Sequence, residues 1–146
     1  MSTTTVAPLI AETTVATVSG HTIAGVPGRF VIDARTNHLV TDSRLGPGES
    51  IQAGELLLSA VVSCAMANFE ATAQDLGLPV TGVTVDASHA RGVEDPTRYD
   101  FTRIAITVRG VDQSAADLLG ERFVATCPIY NTIRRGSGIE LTVAAA

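Results

Sequence analysis

One stretch constrains this chain more than any other. Residues 52–76 carry helical periodicity and are apolar on nearly every side, with Leu56, Leu57, Leu58, Val61, Val62, Ala65, Met66 and Phe69 among them. Such a helix cannot lie on a surface with one face in water. It is predicted to be central and buried, roughly 35 Å long. Gly77 supplies the C-terminal stop, and Pro79 follows it. The longest uninterrupted apolar run, Leu56 to Ala67, contains Ser59, Ser63 and Cys64 and falls short of the roughly 20 residues a bilayer crossing requires.

The remaining elements arrange themselves around that helix. Before it, residues 14–18 alternate and are read as a strand broken by Ser19-Gly20. Residues 29–33 form a second strand after the Pro27-Gly28 turn signal, and residues 38–41 form a third. Gly46-Pro47-Gly48 marks the loop into the helix. After it, Val80 to Arg91 alternates, with Val83, Val85 and Ala87 on one face. Residues 92–98 form a loop, and Tyr99 to Arg109 alternates again through Ile104, Ile106 and Val108, giving an antiparallel hairpin. Residues 114–124 read as a second helix capped by Asp112 or Ser114, residues 128–135 as a short turn, and residues 139–143 as a last strand. The order β-β-β-α-β-β-α-β lacks regular βαβ alternation and indicates an α+β fold. No linker or internal repeat interrupts the chain, so one domain over residues 1–146 is expected.

Charge and composition exclude several function classes. The net charge is −5, and Arg134-Arg135 is the longest basic cluster, so the basic stripe that phosphate neutralisation needs is missing. There is no basic amphipathic helix for a membrane surface. The first fourteen residues carry no positive region ahead of an apolar segment, so no signal peptide is expected and a cytoplasmic location follows. Aromatic residues are only 4%, so the core must be built from Val, Leu, Ile and Ala. A lean core of that kind often gains stability by burying surface in an oligomer.

In a reducing compartment two cysteines are inert, metal-bound or redox-active more often than a permanent staple. Cys64 lies inside the apolar helix, where burial alone makes a thiol inert unless a cation stands nearby. Cys127 directly precedes Pro128, a residue favoured at the first position of a helix, and helix N-terminal amides favour a thiolate. Either cysteine taken alone can be a packed thiol. Together they could form a sulfenic acid and then a disulfide, provided the fold brings residues 63 positions apart into contact. His21, His38 and His89 have no ligand-like spacing with each other or with the cysteines, so no metal site is expected. Ser59 and Ser63 lack the glycines of a nucleophile elbow.

Four segments carry a family likeness. They are Gly54-Glu-Leu-Leu-Leu-Ser-Ala-Val-Val-Ser-Cys64, Leu76-Gly-Leu-Pro-Val-Thr-Gly-Val-Thr-Val85, Phe101-Thr-Arg-Ile-Ala-Ile-Thr-Val108 and Cys127-Pro-Ile-Tyr-Asn-Thr-Ile-Arg134. In this order they resemble the osmotically inducible protein C (OsmC) and organic hydroperoxide resistance family, over roughly residues 38 to 143. The resemblance implies an intertwined homodimer whose long helices pack back to back under antiparallel sheets. It implies Cys64 as the peroxidatic thiol and Cys127 as the resolving thiol. Substrates would be organic or other hydroperoxides. No cofactor is implied, and an external dithiol, of lipoyl type, would be the reductant.

The family also places an arginine beside the first cysteine, held by a glutamate. Arg44 matches the arginine position of the OsmC subgroup, with Arg29 and Arg35 as rivals. The glutamate carries over to Glu55, because the position ten residues before the cysteine is Gly54 here. A nine-residue offset on a continuous helix is about 900°, which turns Glu55 away from Cys64. Glu55 therefore serves only if the helix begins irregularly. Gly54 also leaves open an alternative, a non-catalytic dimer of the same fold that binds a small apolar ligand.

Overall fold

The computed structural model describes residues 15–136. The chain falls into two compact units, Met1–Ala53 and Gly54–Ala146.

The first unit holds a three-stranded antiparallel sheet, β1 (Ser19–Thr22), β2 (Arg29–Ala34) and β3 (Asn37–Asp42), in the order β1-β2-β3. β2 and β3 fall where the alternation places them. β1 does not: residues 15–18 lie outside any strand, and pairing starts at Ser19 and Gly20, the expected break. Gly20 belongs in the ladder because its neighbour strand crowds it. A Cβ there would come within 2.9 Å of Ile32 Cδ1 and 3.3 Å of the Val31 carbonyl oxygen. A glycine inside a strand marks a site of close approach as well as a point of weakness.

The sheet is tied to the following loop through Asp42, which is buried. Its carboxylate accepts from Arg29 Nε (2.8 Å) and Nη2 (3.1 Å) and from the backbone amides of Glu49 (2.7 Å) and Ser50 (3.0 Å). The Arg29 guanidinium holds this carboxyl down to about 2, and the two amides add to the effect. The same guanidinium reaches Glu49 Oε2 at 2.9 Å.

α1 (Ala53–Asp75), 23 residues long, starts at the last residue of the first unit and otherwise belongs to the second. By length and composition this helix reaches what a membrane crossing needs, unlike the shorter run Leu56–Ala67. It packs instead into the unit's core through one row at four-residue spacing: Val61, Ala65, Phe69 and Ala73. The expected burial on nearly all sides is thus only partly met. Ala53, Leu57, Ala60, Cys64, Ala67 and Ala71 alternate four- and three-residue spacings along a second apolar seam. All but Cys64 are exposed, Leu57 at 41%.

β4 (Gly82–Arg91) and β5 (Tyr99–Arg109) form the expected antiparallel hairpin. Val85 pairs with Ile106 and Ala87 with Ile104, so both strands turn the same alternating apolar set toward the core. Asp112 caps α2 (Gln113–Thr126), accepting from the Ala115 amide at 2.9 Å. Leu119, Phe123 and Cys127, again four apart, complete the buried row facing α1.

The short turn expected after Cys127 is a helix, α3 (Pro128–Arg135). Pro128 opens it, and Asn131 stabilises its first turn by donating to the Cys127 carbonyl at 2.9 Å. The strand expected over residues 139–143 lies outside the described residues.

Candidate thiol site

The core of the second unit brings the two cysteines together. Cys64 Sγ and Cys127 Sγ stand 2.8 Å apart, both as free thiols. That is longer than the roughly 2.05 Å of a disulfide and within easy reach of forming one. Cys64 comes from the middle of α1, beside the buried row. Cys127 sits at the joint between α2 and α3, ending one helix and capping the next. The Tyr130 amide at the start of α3 donates to Cys127 Sγ at 3.4 Å.

The two sulfurs differ in access. Cys127 is fully buried, whereas Cys64 is only partly so. Burial pushes the Cys64 thiol up to about 11, helped by the neighbouring Cys127 sulfur and opposed by the Ile129 amide. Among the described residues of the second unit, no arginine pulls it back. The cation that a reactive thiolate requires is therefore not supplied from within the second unit.

An amide braces the pair. Asn68, one turn beyond Cys64 on α1, donates from Nδ2 to Thr126 Oγ1 at 3.1 Å. Thr126 directly precedes Cys127, and its hydroxyl donates to the Arg122 carbonyl at 2.7 Å. Among the described residues, Asn68 Oδ1 is buried without a hydrogen-bond partner. Sequence reading missed Asn68, although its place four residues after Cys64 put it on the same helix face.

Each of the other residues singled out has a local setting within its own unit. Arg29 is committed to Asp42 and Glu49 inside the first unit. Arg35 occupies the β2–β3 turn with φ 57, and Arg44 lies exposed in a turn closed by the Gly46 amide on the Ser43 carbonyl (2.9 Å). The irregular helix start that Glu55 needs is not found. α1 is helical from Ala53, so Glu55 lies half a turn round from Cys64. The space over Gly54 is filled: a Cβ there would meet Tyr99 Oη at 2.7 Å and His89 Nε2 at 3.3 Å. Those two rings stack, 3.6 Å between centroids. His21 and His38 both face Asp33.

An open groove of about 620 Å³ lies between β5 and α2, walled by Phe69, Ile104, Ile106, Phe123, Val124 and Tyr130. Its aromatic end is a packed cluster, with Phe123 5.9 Å from Phe69 and 5.2 Å from Tyr130 between centroids.

With this geometry in place, comparison with known proteins is informative. Residues 46–142 match the family described as OsmC-like protein, a span that holds both cysteines and the hairpin between them. The chain belongs to the OsmC-like family. Solved structures agree on the fold. An OsmC-like protein from Mycoplasma pneumoniae superposes with a TM-score of 0.75 at 11% identity, covering 85% of this chain and 90% of its own. An osmotic stress induced and detoxification response protein from Psychrobacter arcticus 273-4 gives 0.66 at 25% identity, covering 82% and 88%. The organic hydroperoxide resistance protein OsmC of Legionella pneumophila gives 0.66 at 15% identity, covering 84% and 91%. No curated protein sequence matches this OsmC-like chain. The α+β architecture, with two antiparallel sheets and a long helix carrying the first cysteine, is that of the family.

Proposed function

We propose that this OsmC-like protein acts in peroxide resistance, reducing organic hydroperoxides through Cys64 and Cys127. The observation that carries this reading is the 2.8 Å approach of two free thiols. The Legionella relative, an organic hydroperoxide resistance protein, points the same way.

Partial exposure of Cys64 against full burial of Cys127 supports Cys64 as the peroxidatic thiol and Cys127 as the resolving one. The Cys64 thiolate attacks the outer peroxide oxygen, and the O–O bond breaks. The alkoxide leaves and takes a proton as the alcohol, and Cys64 becomes a sulfenic acid. Cys127 then attacks that sulfur. The S–S bond forms and the hydroxyl departs with the Cys127 proton as water. A dithiol of lipoyl type reduces the disulfide by exchange and is itself oxidised to a cyclic disulfide. The groove beside the aromatic cluster offers room for the apolar tail of an organic hydroperoxide, which hydrogen peroxide lacks.

Two further parts belong to this reading. Arg44 is assigned as the cation that ionises Cys64, on its match to the OsmC arginine position. A homodimer is assigned because the open α1 seam has the spacing of a helix-pairing interface and carries Cys64. Such a dimer would cover the apolar face left exposed in the single chain.

Steady-state consumption of cumene hydroperoxide with dihydrolipoamide as reductant tests the mechanism. Turnover is expected in the native chain and none in Cys64→Ser. Cys127→Ser is expected to form the Cys64 sulfenic acid but no intramolecular disulfide, and a second equivalent of hydroperoxide carries that sulfenic acid on to sulfinic acid. Full activity in Cys64→Ser would overturn the assignment.

A further inference from the structure

Asn68 is not explained by packing. Its amide is pinned at one end only: Nδ2 donates to Thr126 Oγ1, while Oδ1 is buried with no hydrogen-bond partner among the described residues. The amide's orientation is fixed by the network, because the Thr126 hydroxyl hydrogen is already given to the Arg122 carbonyl. Thr126 can then only accept, so Asn68 must present its NH2 group. A buried acceptor left unmatched costs stability, and an apolar side chain at this position would not carry that cost.

What the amide does accomplish is visible in the connectivity. Asn68 follows Cys64 by one helical turn, and Thr126 is bonded directly to Cys127. Helical side chains lean toward the N-terminus of their helix, so Asn68 leans over the Cys64 turn. The hydrogen bond from Asn68 to Thr126 therefore runs parallel to the Sγ–Sγ contact, one residue removed on the α2 side. Cys127 lies at the joint of α2 and α3, where the chain changes direction between two helices. Without a tie at that joint, the α2 end could shift relative to α1 and carry the second sulfur with it.

We infer that Asn68 is a positioning residue for disulfide closure, holding Cys127 at bonding distance from Cys64 through Thr126. The inference rests on the redox reading of the two thiols, but not on peroxide as the oxidant. Its effect is on the equilibrium between the dithiol and the disulfide. With glutathione as partner, two protein thiols are oxidised to one disulfide while one glutathione disulfide is reduced to two glutathione thiols.

The test is that equilibrium, read by intact mass after acid quenching across a series of glutathione ratios. The native protein, Asn68→Ala, Thr126→Val and the double variant are compared, with circular dichroism confirming the fold of each. Thr126→Val is nearly isosteric at an exposed site, so it serves if Asn68→Ala folds poorly. Each single variant is expected to disfavour the disulfide by roughly tenfold, about 30 mV for a two-electron couple. The double variant should go no further than the singles, because both remove the same bond. Equilibria within twofold of native, or single effects that add in the double variant, would overturn the inference. So would a native protein that forms no intramolecular disulfide at any ratio. A native protein that forms the disulfide with glutathione but consumes no hydroperoxide would remove the peroxidase reading and leave the role of Asn68 standing.

Discussion

At the scale of single residues, the account turns on one thiol in an unhelpful place. Burial beside Cys127 pushes Cys64 up to about 11, so near neutral pH this chain alone leaves almost none of it ionised. The sign is clear: reactivity should rise with pH, and any cation that joins the site should move the rise to lower pH. If Arg44 is that cation, Arg44→Ala should raise the midpoint of Cys64 alkylation by about one to three pH units, toward 11. Iodoacetamide labelling across pH, with Cys64 located by peptide mapping, reads this directly. An unchanged midpoint would remove Arg44 from the site. Arg29 is a poor substitute, since Asp42 and Glu49 already neutralise it.

Elements were legible in the sequence where periodicity was long and unambiguous. α1, the β4–β5 hairpin and α2 all fall within a few residues of where apolar spacing places them. The misses were short and each has a local cause. β1 was displaced because Gly20 reads as a breaker, whereas the Ile32 side chain needs its missing Cβ. α3 reads as a turn because eight residues give little periodicity, although Cys127-Pro128 marks its start. The juxtaposition of Cys64 and Cys127 is implied by the family resemblance but by no local pattern, because it depends on rows four residues apart on α1 and α2 packing together. The bracing role of Asn68 was hidden for the same reason.

The open seam of α1 carries the clearest prediction at this scale. Leu57 is 41% exposed on an apolar line with Ala60 and Ala67. Leu57→Glu should leave the single chain folded and convert a dimer to monomer in sedimentation velocity, since a charge in a helix-pairing seam has no partner there. A native protein that sediments as a monomer would remove the dimer from the account.

For the whole molecule, the family assignment and the chemistry stand on different footings. Membership in the OsmC-like family follows from a match over residues 46–142, and the fold follows from superposition on several solved structures. Neither gives the reaction. Gly54 shows why: the position where the peroxidase subgroups carry a glutamate is closed here by Tyr99 and His89. The chemistry rests on the sulfur pair alone. The most direct measurement is the intact mass of the reduced protein after one equivalent of cumene hydroperoxide. The account predicts the loss of two hydrogens in the native chain, and in Cys127→Ser the gain of an oxygen at Cys64. An unchanged mass, with both thiols still titratable and the hydroperoxide unspent, would contradict it.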